Sequence, residues 1–173
     1  MRGVVAIVGR PNVGKSSLFN RIIGERISIT DDASGITRDR IYGITSWLNQ
    51  EFSIIDTGGI ILKDEPFSKE IRAQAELAID EADVIVLVVD ARTGITRQDE
   101  DVVNILQRGN KRFIVAANKV DDGSMIDLIY DFYALGVSDV IGISSLHGIG
   151  IGDLLDKVIE YMPVKKEKVF LSD

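Results

Sequence analysis

The sequence predicts an α/β domain with a mostly parallel six-stranded sheet, one antiparallel edge strand, and helices on both faces. Three observations predict it. From Val84 onward, short apolar runs rich in Val and Ile alternate with stretches whose apolar residues recur at helical spacing, the pattern of parallel strand–helix–strand units. Two strand-like runs, residues 41–48 and 51–56, meet around Asn49-Gln50 as a hairpin and supply the antiparallel strand. A glycine-bearing octapeptide joins the first apolar run, Val4–Val8, to a helical pattern carrying Leu18, Phe19, Ile22 and Ile23.

That octapeptide is Gly9-Arg10-Pro11-Asn12-Val13-Gly14-Lys15-Ser16, which reads G-x-x-x-x-G-K-S. A polyphosphate must be wrapped by backbone N–H groups, and side chains obstruct the approach. Gly9 and Gly14 remove the Cβ and permit positive φ. The amides, through Ser17, form a nest at a helix N-terminus that carries partial positive charge. Lys15 is expected to reach the β- and γ-phosphates, and the Ser16 hydroxyl to ligate Mg²⁺. The expected fold is thus the three-layer P-loop nucleotide-triphosphatase type.

Composition narrows the function classes. With 173 residues the chain is long enough for one domain with a sizeable core. A net charge of −7 and pI of about 4.8 make direct gripping of a nucleic-acid backbone a poor expectation. No cysteine is present, which excludes disulfides and thiolate metal sites and fits a reducing compartment, the cytoplasm. The first strand begins by Val4, leaving no room for a signal peptide, and the longest apolar run, Val84–Val89, is too short to span a membrane. Residues 1–163 are expected to form the domain. Residues 164–173, with Lys165-Lys166-Glu167-Lys168, are expected to be a linker start or a solvated tail.

Between these landmarks, residues 24–40 and 58–66 read as loops, and 67–82 as a helix with apolar positions 71, 75, 78, 79 and 82. Val84–Asp90 reads as a strand. Arg97–Arg108 reads as a helix ended by Gly109-Asn110, its acidic start Asp99-Glu100-Asp101 a solvated face. Arg112–Asn118 is a strand, Met125–Leu135 a helix ended by Gly136, and Val140–Ile143 a short strand. Ile151–Met162 is a helix stopped by Pro163.

The remaining chemistry falls at predicted strand ends, where such sheets bind ligands. Asp56-Thr57-Gly58-Gly59 closes the hairpin; Asp56 can support Mg²⁺, and the Gly59 N–H can meet a γ-phosphate. Asn118-Lys119-Val120-Asp121 closes the fifth strand. The Asp121 carboxylate can accept from both N1–H and N2–H₂ of guanine. Adenine lacks that donor pair, and an unpaired buried carboxylate costs roughly 1–3 kcal/mol or more. Asn118 can bond locally, and the Lys119 stem can lie over the purine. Ser144-Ser145-Leu146 can offer amides to the guanine O6. In the loop Gly35-Ile36-Thr37-Arg38-Asp39, Thr37 is the candidate hydroxyl that reaches Mg²⁺ only in the triphosphate state, with Thr30 and Ser34 as rivals. Arg38 and Arg40 read as solvated, His147 as a surface loop residue and Trp47 as packing.

In this order the motifs resemble those of the GTPase superfamily. G-R-P-N-V-G-K-S-S-L-F-N, G-I-T-R-D-R, D-T-G-G-I, E-A-D-V-I-V-L-V-V-D-A-R-T-G-I-T and N-K-V-D resemble the TrmE–Era–EngA group of bacterial GTPases. Within it the likeness is to the first of the two tandem GTPase domains of the EngA branch. The resemblance implies GTP hydrolysis to GDP with Mg²⁺, and a role in assembly of the large ribosomal subunit. It also implies a second GTPase domain and a KH-like domain in the full protein. Ile60 stands where Ras-like members place the water-orienting glutamine. Some relatives use K⁺ in place of an arginine finger, held by a P-loop asparagine that Asn12 matches. The groups expected to act in hydrolysis are then Lys15, Asn12, Thr37 and Gly59, by positioning and charge neutralisation. Two rivals remain at this stage: a GTP-dependent binding module with negligible turnover until a partner completes it, and an ATP-dependent enzyme sharing the P-loop, against which Asn118–Asp121 argues.

Overall fold

The computed structural model describes residues 3–24, 41–59 and 67–163. The expectations for Thr30, Ser34, Thr37, Arg38, Arg40, Ile60 and the tail 164–173 lie outside them.

Among the described residues one sheet is formed by β1 (Gly3–Val8), β2 (Ile41–Trp47), β3 (Gln50–Asp56), β4 (Val84–Asp90), β5 (Arg112–Asn118) and β6 (Val140–Gly142). Their order across the sheet is β2-β3-β1-β4-β5-β6. All neighbours are parallel except the edge strand β2, which runs antiparallel to β3. The hairpin turns on Leu48 and Asn49, at φ 54 and 63. Positive φ at both central residues is what a two-residue turn needs to match strand twist. The turn therefore sits one residue earlier than the sequence suggests.

Alternation along the central strands sorts their side chains to two cores. Ala6, Val8, Ile85, Leu87, Val89, Val115 and Ala117 face one side, covered by α2 (Phe67–Glu81) and α3 (Arg97–Arg108). Val5, Ile7, Val84, Val86, Val88, Ile114 and Ala116 face the other, covered by α1 (Lys15–Ile23) and α4 (Ile151–Tyr161). Strand β4 is buried along its whole length, as a central parallel strand must be. Each fully buried Ile or Leu contributes about 1.5–3 kcal/mol. Such a sheet is rigid, and it fixes the positions of the loops at its carboxyl edge.

Two local expectations need correction. Gly123–Leu135 winds as a 3₁₀ helix rather than an α-helix. Only Ile129 and Phe132 are buried along it, and a three-residue turn puts that spacing on one face. The acidic start of α3 is not wholly solvated: Asp99 is 1% exposed. Its carboxylate accepts from the Thr96 N–H while the Thr96 hydroxyl accepts from the Asp99 N–H, a reciprocal capping box. The other end of α3 is as expected: Gly109 (φ −77) is the C-cap and Asn110 (φ 62) supplies the left-handed residue. A Cβ on Gly109 would lie 2.6 Å from Ile79 Cδ1, so packing also favours glycine there. Trp47 does pack: its ring joins the α1/α4 core and its Nε1–H donates to Asp156 Oδ1 at 2.8 Å.

Candidate functional site

The loop between β1 and α1 is held from three directions. Gly14, at φ 103, caps α1 in a left-handed conformation. A Cβ on Gly14 would stand 2.2 Å from Asn118 Nδ2. Gly9 is required for a different reason than the sequence suggests. It has no positive φ; instead a Cβ there would lie 2.6 Å from the Val88 carbonyl of β4. The second left-handed residue of the loop is Asn12, at φ 70, exposed at its tip. Asparagine tolerates that region better than most residues. Gly14→Ala is expected to break the Asn118 contact and strain the cap. The cost is about 2 kcal/mol or more, a fall in Tm of about 5 °C. A thermal melt checks this, and an unchanged Tm would contradict it.

Lys15 folds back over this loop. Its Nζ donates to the Gly9 carbonyl at 2.7 Å and the Arg10 carbonyl at 3.0 Å, and the residue is 8% exposed. Burial pulls its pKa down to about 8, Asp56 partly offsets this, and the nearby Arg10 adds to it. Arg10 itself leaves the loop. Its Nη2 donates to Thr93 Oγ1 at 2.9 Å, and its Nε faces the buried Asp99 Oδ1 at 3.6 Å. Pro11 is half-buried, Val13 is fully buried, and Ser17 is exposed.

Beside Lys15, Ser16 Oγ donates to Asp56 Oδ2 at 3.2 Å, and Asp56 Oδ1 accepts from the Gly58 N–H at 2.9 Å. The hydroxyl and carboxylate oxygens thus stand together as hard donors at the loop, a set that suits Mg²⁺ completed by phosphate oxygens and water. Among the described residues no cluster of three or more His, Cys, Asp or Glu forms a self-sufficient metal cage. Thr57–Gly59 makes a single 3₁₀ turn. Thr57 is fully buried and its hydroxyl donates to the Ile7 carbonyl at 2.7 Å, so its side chain holds the turn to β1. A Cβ on Gly58 would lie 2.8 Å from Lys15 Cε, so the turn fits closely against the lysine stem.

At the end of β5, Asn118 ties three loops together. Its Nδ2 donates to the Val13 carbonyl at 2.8 Å, and its Oδ1 accepts from the Ser145 N–H at 2.9 Å. Lys119, at φ 77, reaches back so that Nζ donates to the Asn12 carbonyl at 3.1 Å and to Asp90 Oδ2 at 2.9 Å. Desolvation pushes the Asp90 carboxyl up, but Lys119 and the Arg92 and Thr93 amides outweigh it and hold Asp90 below the usual range. Val120 turns its side chain into the core. Asp121 Oδ1 accepts from Ser144 Oγ at 2.7 Å, and Oδ2 from Arg92 at 2.5 Å. Leu146 and His147 are exposed at the neighbouring loop, whose Ser145 and Leu146 carbonyls accept from Arg21 at 3.1 and 2.8 Å. The Ser144 amide donates to the Ile149 carbonyl and the Ser145 amide to Asn118, so two of the three amides in Ser144–Leu146 already serve the loop itself.

The structure thus brings Gly9–Ser17, Asp56–Gly59, Asn118–Asp121 and Ser144–Leu146 to one edge of the sheet. Sequence reasoning missed Arg21, Gln74, Asp90, Arg92 and Asp99, which support these loops through contacts distant in sequence. For Asp99 the Thr96-x-x-Asp99 capping spacing was a local signal; for the others no local pattern offered one.

The model of the family described as 50S ribosome-binding GTPase matches residues 4–119. The chain belongs to this family. It is 58% identical over 170 residues to the GTPase Der of Listeria welshimeri, covering 98% of this chain and 39% of that protein. It is 59% identical over 167 residues to the GTPase Der of Bacillus cytotoxicus, covering 96% of this chain and 38% of that protein. The chain therefore spans about two fifths of the length of these relatives. Among solved structures, Aquifex aeolicus Era bound to GDP and AlF4⁻ superposes with a TM-score of 0.76 at 30% identity, covering 96% of this chain and 59% of that one. The G domain of the T. maritima FeoB iron transporter gives 0.70 at 29% identity, covering 93% and 99%. The resemblance to the TrmE–Era–EngA group, and within it to EngA (another name for Der), is borne out, as is the P-loop fold. No helix among the described residues is long and apolar enough to cross a membrane.

Proposed function

We propose that this domain binds GTP with Mg²⁺ and hydrolyses it to GDP and phosphate, as a switch within a longer protein that acts in assembly of the large ribosomal subunit. The observation that carries the reading is the Asn118 bridge, which joins the phosphate loop, the base-reading segment and the Ser144–Leu146 loop in one unit. Asp121 then reads the N1 and N2 donors of guanine, with Ser144 and Arg92 orienting its two oxygens. Lys119, anchored at both Asn12 and Asp90, sets its stem beside the base. Lys15 and the loop amides from Asn12 to Ser17 bind the phosphates.

Ser16, Asp56 and, in the triphosphate state, Thr37 would hold Mg²⁺, and the bound ion would supply positive charge beside the phosphates. Gly59 offers its amide to the γ-phosphate, with Ile60 beside it. The chain's own residues contribute positioning and fixed dipoles rather than a general base. Residues 1–163 make up the domain. The segment from 164 leads to a second GTPase domain and a KH-like domain, and the protein works in the cytoplasm. The relatives' greater length and the family's description support that wider role. A net charge of −7 favours ribosomal contact mainly through those other parts.

Asn12 is the proposed ligand of a K⁺ ion that supplies the charge of an arginine finger. The test is GTP turnover in matched KCl and NaCl buffers. Turnover is expected to be about tenfold or more faster in potassium. The advantage should vanish in Asn12→Gly, a variant chosen because φ 70 suits glycine and adds no strain. Equal, near-background rates in both salts would contradict turnover by the domain alone. They would favour instead a GTP-binding module that a partner domain or the ribosome completes.

A further inference from the structure

Helix α2 presents Ile71, Ala75 and Ala78 to the core, and on the same stripe stands Gln74, 4% exposed. A carboxamide in that position is unfavourable unless its polar atoms are bonded, and a leucine would fill the space at lower cost. Its Oε1 lies 3.3 Å from the Gly9 N–H and 3.1 Å from Thr57 Oγ1. One acceptor atom thus meets the entry to the phosphate loop and the turn that follows Asp56.

The connections continue on both sides. The Gly9 carbonyl accepts from Lys15 Nζ at 2.7 Å, so Gln74 is one residue removed from the phosphate-binding ammonium. On its far side Gly9 lies near the Val88 carbonyl, so closely that a Cβ would not fit between them. On the other side Thr57 directly precedes Gly58, where a Cβ would meet the Lys15 stem. The Thr57 hydroxyl has one proton and two acceptors, the Ile7 carbonyl at 2.7 Å and Gln74 Oε1 at 3.1 Å.

We infer that Gln74 is a positioning residue that locks the start of the phosphate loop, the Asp56–Gly59 turn and helix α2 into one register. Through it, a γ-phosphate contact at the turn is felt by α2 and by Lys15 together. This rests on the GTP-binding reading of the site. Gln74 does not touch the nucleotide, so its loss should spare binding of the diphosphate and impair what depends on the third phosphate.

The test uses the 173-residue chain, whose two cores close within it, and two variants. Gln74→Met keeps the size and removes the acceptor; Gln74→Glu keeps an acceptor oxygen at the same reach. The measurements are kcat and KM for GTP in KCl with Mg²⁺, the Kd values of GDP and a non-hydrolysable GTP analogue, and Tm. Gln74→Met is expected to lower kcat about tenfold with KM within about threefold. It should shift the ratio of the two Kd values about fivefold against the triphosphate. Gln74→Glu should restore both to within about threefold of the parent chain. A parent-like kcat and Kd ratio in Gln74→Met would overturn the inference. So would equal losses in both variants that follow Tm, which would make Gln74 merely structural. If the parent chain shows no turnover, the hydrolytic reading falls and the Kd ratio still decides the role of Gln74.

Discussion

Lys15→Met is expected to weaken GDP and GTP binding by roughly 100-fold or more while leaving Tm unchanged or higher. The two effects have one cause. Among the described residues the buried ammonium donates to the Gly9 and Arg10 carbonyls. Desolvation holds its pKa down at about 8, below the 10.5 of a solvated lysine. A lowered lysine pKa means that folding disfavours the charged form. At pH 7 the group is still charged on both sides of the folding equilibrium, so the native state carries the full cost. That cost is relieved only as pH rises from about 8 toward 10.5, where the unfolded chain binds the extra proton. A polyphosphate turns the same charge into an attractive one. Isothermal titration and a thermal melt at pH 7 read the two quantities. Parent-like nucleotide affinity would remove Lys15 from the site, and a large fall in Tm would mean that the lysine is structural.

Asp121→Asn is expected to lower GTP affinity by roughly 100-fold and to raise affinity for XTP. The amide keeps one acceptor and gains an NH₂ that can donate to the extra carbonyl of xanthine. The geometry limits the choice of atoms. Oδ1 is held by Ser144 and Oδ2 by Arg92, both donors, so the parent carboxylate is oriented. In the variant the NH₂ cannot accept from either, and the arrangement that satisfies Ser144 turns the NH₂ toward Arg92. Competition with labelled GDP by GTP, XTP and ATP gives the result. Retained GTP selectivity would sink the base-reading role.

These contacts show what was legible before the structure. Gly9–Ser16, Asp56–Gly59 and Asn118–Asp121 are local patterns, and their order along an alternating strand–helix chain fixes where they meet. The parallel sheet was equally legible, because β4 is apolar along its whole length. The supporting residues were not. Gln74 acts across 65 residues of sequence, Arg21 across 124 and Arg92 across 29. No periodicity records a contact of that kind. Asp99 read as one of three acidic surface residues although its capping partner Thr96 stands only three residues earlier; the Arg10 side chain that also faces it belongs to another segment. Gly9 carried the right identity for an unforeseen reason, a close approach to Val88 rather than a left-handed φ. The 3₁₀ winding of Gly123–Leu135 was hidden because apolar residues at 125, 128, 129, 132 and 135 fit an α-helical face as well.

Multiple-turnover phosphate release by the 173-residue chain, with GTP or ATP at equal concentration in KCl and Mg²⁺, tests the account most directly. The account predicts repeated turnover of GTP, turnover of ATP at least about 100-fold slower, and loss of both in EDTA. Comparable rates with the two nucleotides would contradict guanine selection by Asp121, and release that persists without a divalent cation would contradict the Ser16–Asp56 site.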